Sequence, residues 1–207
     1  MNPLLDFSGL PRFAEIRPEH VAPAIEQLIM EARAAVVRAA RAEPSWEAFV
    51  SPLDDANERL ARAWGQIVHL HAVLDSPELR AAYNENLPKV TEYWTELGQD
   101  PQLFAQYGAL HAAPESARSG GERRKVVENA LRDFHLGGAE LPPEQKVRFA
   151  AIQQQLAGLS ARFAENLLDA TNGGAVLLRD PARLAGLTDE ALAAAREAAA
   201  KDGEEGW

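Results

Sequence analysis

The sequence predicts an all-α protein: an antiparallel array of about seven helices, with at most one short strand near 175–178. Three observations lead there. Leu and Ala supply most of the apolar side chains, whereas aromatics make up only 7% of the chain and β-branched residues are sparse, a balance that favours helices over sheets. Helix-start signals recur, in which a capping oxygen precedes a proline that needs no N–H and presets φ: Ser51-Pro52, Ser76-Pro77, Asp100-Pro101 and Asp180-Pro181. Apolar positions repeat at steps of three and four over long stretches.

From Pro18 to Arg41 the stripe is Val21, Ile25, Leu28, Ala32, Val36 and Ala39, and Glu43-Pro44 ends it. A second stripe, Leu53, Ala56, Leu60, Trp64, Ile67 and Leu74, marks a helix from about Pro52 to Leu74, entered at Ser51 with Asp54 facing the positive end of the helix dipole. These two segments should pair antiparallel, with Asp75-Ser76-Pro77 as the break that follows.

Leu79, Tyr83 and Leu87 begin a third helix that meets Pro88, where a kink is expected in place of a stop. Val90, Tyr93, Trp94 and Leu97 resume the pattern, and Gly98 is placed to end it. Leu103 to Leu110 make a shorter helix, and Ala112 to Gly121 reads as the mobile loop of the chain. Glu122 to Phe134 forms a further helix, closed by Gly137-Gly138.

The long helix from about Pro143 to Ala170 has the cleanest period, with Ile152, Leu156, Leu159, Phe163 and Leu167 on one face, and deep packing is expected of it. Asn172-Gly173-Gly174 is a turn, and the apolar run Ala175 to Leu178 is the candidate strand. Thr188 caps a last helix, Asp189 to Lys201, whose many alanines require a neighbour; exposure or disorder is expected there. Trp207 closes a polar turn and should bury nothing unless further chain follows, so the sequence reads as cut, not finished.

A net charge of −10 repels phosphate backbones and anionic head groups, which argues against nucleic-acid and membrane partners. Arg118, Arg123, Arg124 and Lys125 form the densest basic cluster, but Glu122 and Glu128 stand among them and no aromatic does; a solvated helix start explains it. No apolar stretch approaches the ~20 residues that span a bilayer. With no cysteine and no signal peptide in the opening Met-Asn-Pro-Leu-Leu-Asp, a cytoplasmic location is the default expectation.

Zinc hydrolysis on a helix needs two histidines four apart with a glutamate after the first, and no His-Glu-x-x-His occurs. Glu19-His20 lacks a second ligand because Ile16 and Ala24 occupy the flanking registers, so His20 reads as a helix-start residue. His69 and His71 would point about 200° apart around one helix, one packed and one exposed. His111 and His135 fall near helix ends, where an imidazole approaches the last carbonyls. Gly-rich phosphate loops, dinucleotide fingerprints and the Gly-x-Ser-x-Gly elbow are absent too, and Asp54-Asp55, Asp189-Glu190 and Glu204-Glu205 have structural roles available. No catalytic, cofactor-binding or metal-ligating residue is therefore assigned. Trp46, Trp64, Phe104, Tyr107, Phe134, Phe149 and Phe163 read as core, whereas Tyr83, Tyr93 and Trp94, beside the Pro88 kink, are candidates for lining a groove.

Six segments in order, Asn2-Pro-Leu-Leu5, Leu10-Pro-Arg-Phe13, Ile16-Arg-Pro-Glu-His-Val-Ala-Pro-Ala-Ile25, Ser76-Pro-Glu-Leu-Arg80, Ala130-Leu-Arg-Asp-Phe134 and Asn166-Leu-Leu-Asp-Ala-Thr171, closely resemble the start of the thimet oligopeptidase family of zinc metallopeptidases, in its bacterial oligopeptidase A branch. The resemblance runs from residue 2 to the end. It implies a longer parent chain: a mostly helical ellipsoid split by a deep channel, with Zn2+ held by ligands beyond residue 207. Residues 1–207 would then be the N-terminal channel wall, inactive alone, with the catalytic remainder of the same polypeptide as partner and short peptides as substrates of the whole enzyme. The alternative is a free-standing helical module that binds peptides or a protein without cleaving anything.

Overall fold

The computed structural model describes residues 2–74, 76–113 and 121–207. Most of the expected loop 112–121, Arg118 of the basic cluster and Asp75 of the expected break lie outside the described residues. Seven α-helices are found among those described, and no strand. They are α1 (Val21–Ala39), α2 (Ser51–Leu74), α3 (Pro77–Gly98), α4 (Pro101–Ala112), α5 (Gly121–Gly137), α6 (Pro143–Gly173) and α7 (Asp189–Lys201). The chain divides into two compact units, residues 1–161 and 162–207.

In the first unit two apolar clusters share α1. Val21, Ile25 and Leu28, from its first half, pack with Leu60, Ile67 and Leu70 of α2 and with Leu79, Val90 and Tyr93 of α3. Ala35 and Ala39, from its end, pack with Phe49, Val50 and Leu53 at the entry to α2, with Leu103 and Tyr107 of α4 and with Val127 and Phe134 of α5. The start of α1 thus meets the end of α2 and the reverse, the expected antiparallel pair. Leu4 and Ile16 of the N-terminal segment close over the first cluster, and that segment is pinned where the Asn2 side-chain amide donates to His20 O at 2.8 Å.

Helix entry into α2 differs from the Ser51 start read from the sequence. Residues Trp46–Val50 already form a wide helical turn, and Ser45 is its cap, its Oγ accepting from the Ala48 N–H at 3.2 Å. Ser51 stands inside continuous helix at φ −59° and ψ −47°. Ser76 and Asp100 do cap α3 and α4, whereas Asp180 caps only the short tight turn Pro181–Leu184. The α3 helix continues through Pro88 without a stop. Gly98 ends it without a left-handed residue: the following Gln99 sits at φ −107°. The left-handed position is Gly138, φ +87°, where Gly138 N–H and Ala139 N–H close back onto His135 O and Phe134 O at the end of α5.

The expectation of deep packing for α6 is overturned. Ala161 is its only buried residue among those described, and Val147, Ile152, Leu156 and Leu159 are exposed along the part within the first unit. Two polar contacts hold this part instead: Lys146 Nζ donates to Gln99 O at 2.8 Å and Gln154 Nε2 donates to Pro88 O at 2.9 Å.

The second unit contains the end of α6, the turn Pro181–Leu184 and α7. Phe163, read from sequence as core, is 71% exposed, and Leu167 is exposed with it. The run 175–178 forms neither helix nor strand, and at its end Leu178 and Trp207 exchange both backbone hydrogen bonds at 2.7 and 2.9 Å. Trp207 does bury surface: the residue is largely covered, with the Arg196 guanidinium 4.9 Å from its ring centroid. Thr188 caps α7 as expected, and that helix is largely exposed, only Ala199 being buried.

Candidate functional site

Where α3, α5 and α6 come together, all within the first unit, they leave an open cleft of about 550 Å3. Two glycines, Gly98 and Gly137, are part of its lining. A Cβ on Gly137 would stand 2.9 Å from Gly98 O and 3.3 Å from Gly98 Cα, so the ends of α3 and α5 approach backbone to backbone. Two side chains at this crossing would force the helices apart.

Trp94 of α3, Leu136 of α5 and Phe149 and Leu156 of α6 supply the large apolar surface of the cleft. Leu136 is 67% exposed although it stands near the end of a packed helix. The Thr91 and Thr95 hydroxyls facing the cleft are already satisfied, each donating at 2.8 Å to a carbonyl of its own helix, Leu87 O and Thr91 O. Asp133, on the rim, is paired with Arg132 at 2.8 Å. Gln153 and Ser160 add further polar side chains to the apolar part of the lining.

Of the three aromatics expected beside a groove, Trp94 lines it and the other two do not. Tyr93 is buried in the first cluster and donates its hydroxyl to Asn57 Oδ1. Tyr83 is held between Trp64 and His71, stacked at 5.1 and 4.2 Å between centroids with planes 11° and 7° apart. Leu136, Phe149 and the Gly98–Gly137 crossing escaped sequence reasoning, because the contact joins helices distant in sequence and no local motif marks it.

The histidines are scattered. His20 Nδ1 accepts from Arg17 N–H at 3.0 Å at the start of α1, the helix-start role expected of it. His69 lies against Phe13 with centroids 5.1 Å apart, on another side of α2 from His71. His111 and His135 face carboxylates, Glu128 at 4.0 Å and Glu140 at 2.6 Å, in place of the helix-end carbonyls expected from the sequence. Among the described residues no three His, Asp or Glu side chains gather as a metal-ligand set, so these residues do not fit a zinc ion. Nor is any helix among them long and apolar enough to cross a membrane.

The described residues form a helical array with an open cleft between α3, α5 and α6. Comparison with known proteins gives it a family. Residues 25–146 match the family model described as the N-terminal domain of neurolysin and thimet oligopeptidase. The chain belongs to the thimet oligopeptidase family. Over 208 residues it is 42% identical to oligopeptidase A of Haemophilus influenzae, covering 100% of this chain and 30% of that protein. It is 41% identical over 204 residues to oligopeptidase A of Escherichia coli, covering 97% and 30%, and 35% identical over 205 residues to the probable cytosolic oligopeptidase A of Arabidopsis thaliana, covering 99% and 29%. The chain thus spans about 30% of the length of these relatives.

Proposed function

We propose that this chain is the N-terminal, non-catalytic part of a zinc-dependent oligopeptidase acting on short peptides in the cytoplasm. Its role is to form one wall of the channel through which substrates reach the catalytic remainder of the same polypeptide. The observation that carries this reading is the end-to-end match to relatives named oligopeptidase A, which uses all of this chain and under a third of theirs. The name cytosolic, given to an Arabidopsis relative, supports the location.

A rigid helical wall contributes by exclusion: an extended peptide enters a narrow channel, and a folded domain does not. Chemistry at the scissile bond is left to residues outside this chain, where a bound zinc ion would supply an activated water. The test uses the whole reading frame expressed as one polypeptide. A short quenched-fluorescence peptide should be cleaved and the cleavage stopped by a chelator, while the same sequence in a loop of a folded protein stays intact. Cleavage within the folded protein would sink the role in access; failure on the short peptide would sink the peptidase reading.

A further inference from the structure

We propose that the cleft between α3, α5 and α6 is the seat of an amphipathic segment from the catalytic remainder of the same polypeptide, and is not a substrate site. The inference rests on the reading given under Proposed function and names the surface through which this part is joined to the rest.

An amphipathic helix ordinarily buries its apolar stripe and presents its polar face to water. In the first unit α6 departs from this: Lys146 and Gln154 fasten it through hydrogen bonds to α3 and the residue that follows it, and Ile152, Leu156 and Leu159 of its apolar stripe stay exposed. Leu136 of α5 is exposed at the same place, and Trp94 and Phe149 extend the apolar surface into the cleft. Leu136 and Leu156 are thus two exposed large apolar side chains in one cleft, and exposed apolar surface gathered in one place marks an interaction site.

The chemistry of the walls narrows the occupant. A peptide substrate is bound largely through a run of backbone amides, which calls for matching donors and acceptors, yet the Thr91 and Thr95 hydroxyl protons are spent on their own helices and Asp133 meets Arg132, which leaves Gln153 and Ser160 as the further polar side chains of the lining. The apolar side chains of a helix need no such groups. A second copy of this chain would bring another net charge of −10 against the first, which opposes self-association. The relatives, by contrast, continue for more than twice the length matched here, and that stretch is available in every molecule at high effective concentration.

The absence of cysteine permits a direct test. Single variants Leu136→Cys and Leu156→Cys, with Leu10→Cys as a control at a residue 91% exposed and outside the cleft, are labelled with a thiol reagent. Labelling is read site by site by peptide mass spectrometry, in the 207-residue chain and in the whole polypeptide. In the short chain all three should react freely and at rates independent of protein concentration. In the whole polypeptide the Leu136→Cys and Leu156→Cys thiols should slow by at least about tenfold, with Leu10→Cys unchanged. Equal rates in the two proteins would overturn the proposal. So would protection in the short chain that grows with its own concentration, which assigns the cleft to a second copy, or protection produced by adding short peptides, which assigns it to substrate. Peptide hydrolysis by the same whole-polypeptide preparations separates the two readings: active enzyme with unprotected thiols refutes the cleft alone, and protected thiols in an inactive protein refute the peptidase alone.

Discussion

Tyr93 joins packing and ionisation in one side chain. It is 1% exposed, and its hydroxyl donates to Asn57 across from α2. Burial pushes its pKa from 10.0 up to about 12, with Arg33 opposing and Glu96 adding to the rise. Because the folded pKa lies above the unfolded one, the protonated form supports the fold fully below pH 10.0, and that support is lost as pH climbs toward about 12. Chemical denaturation across this window should show stability falling, and Tyr93→Phe should flatten the fall while costing about 1 kcal/mol at neutral pH from the lost hydrogen bond. Tyr107, also raised by burial and then by Asp54, keeps part of the slope in that variant. A variant with the slope of the parent would contradict the assignment. At the glycine crossing, Gly137→Ala puts a Cβ 2.9 Å from a backbone oxygen, and a loss of about 1–3 kcal/mol is expected in the same measurement.

Among the elements, stripes of apolar residues locate the helices well because spacing alone decides which residues share a face. Spacing does not say what covers that face. Ile152, Leu156 and Leu159 have the period of a buried stripe and are exposed. In the 207-residue chain Leu159→Glu should therefore change stability by no more than about 0.5 kcal/mol, whereas Leu28→Ala, which empties a site 1% exposed, should cost about 2–5 kcal/mol. Comparable losses from both would mean that α6 is packed after all. Cap signals are similarly half informative. A Ser-Pro or Asp-Pro pair announces a turn into helix but not its length, so Asp180 opens only a short tight turn, and Ser51 reads as a start because Ser45-Trp46 upstream lacks the proline. Ser45→Ala should cost about 1 kcal/mol by thermal melt and Ser51→Ala close to nothing; the reverse order would restore the Ser51 start.

For the molecule as a whole, the all-α array and the family are legible in order and composition, because both rest on patterns spread over the entire chain. The cleft is not. Trp94 is within reach, since the residues beside Pro88 are expected to border a groove, but Leu136 and Phe149 join it only through the Gly98–Gly137 contact, which depends on three-dimensional packing. Function belongs to this scale as well: the described histidines face a backbone amide, aromatic rings and carboxylates at separate places, so nothing in their arrangement gathers a metal ion. The proposal that these residues shape access and do not cleave is tested most directly by one assay. The purified 207-residue chain is incubated with zinc and a quenched-fluorescence peptide beside the whole polypeptide at equal concentration. The whole polypeptide should turn the peptide over and the 207-residue chain should not; turnover by the shorter chain that a chelator abolishes would contradict the account.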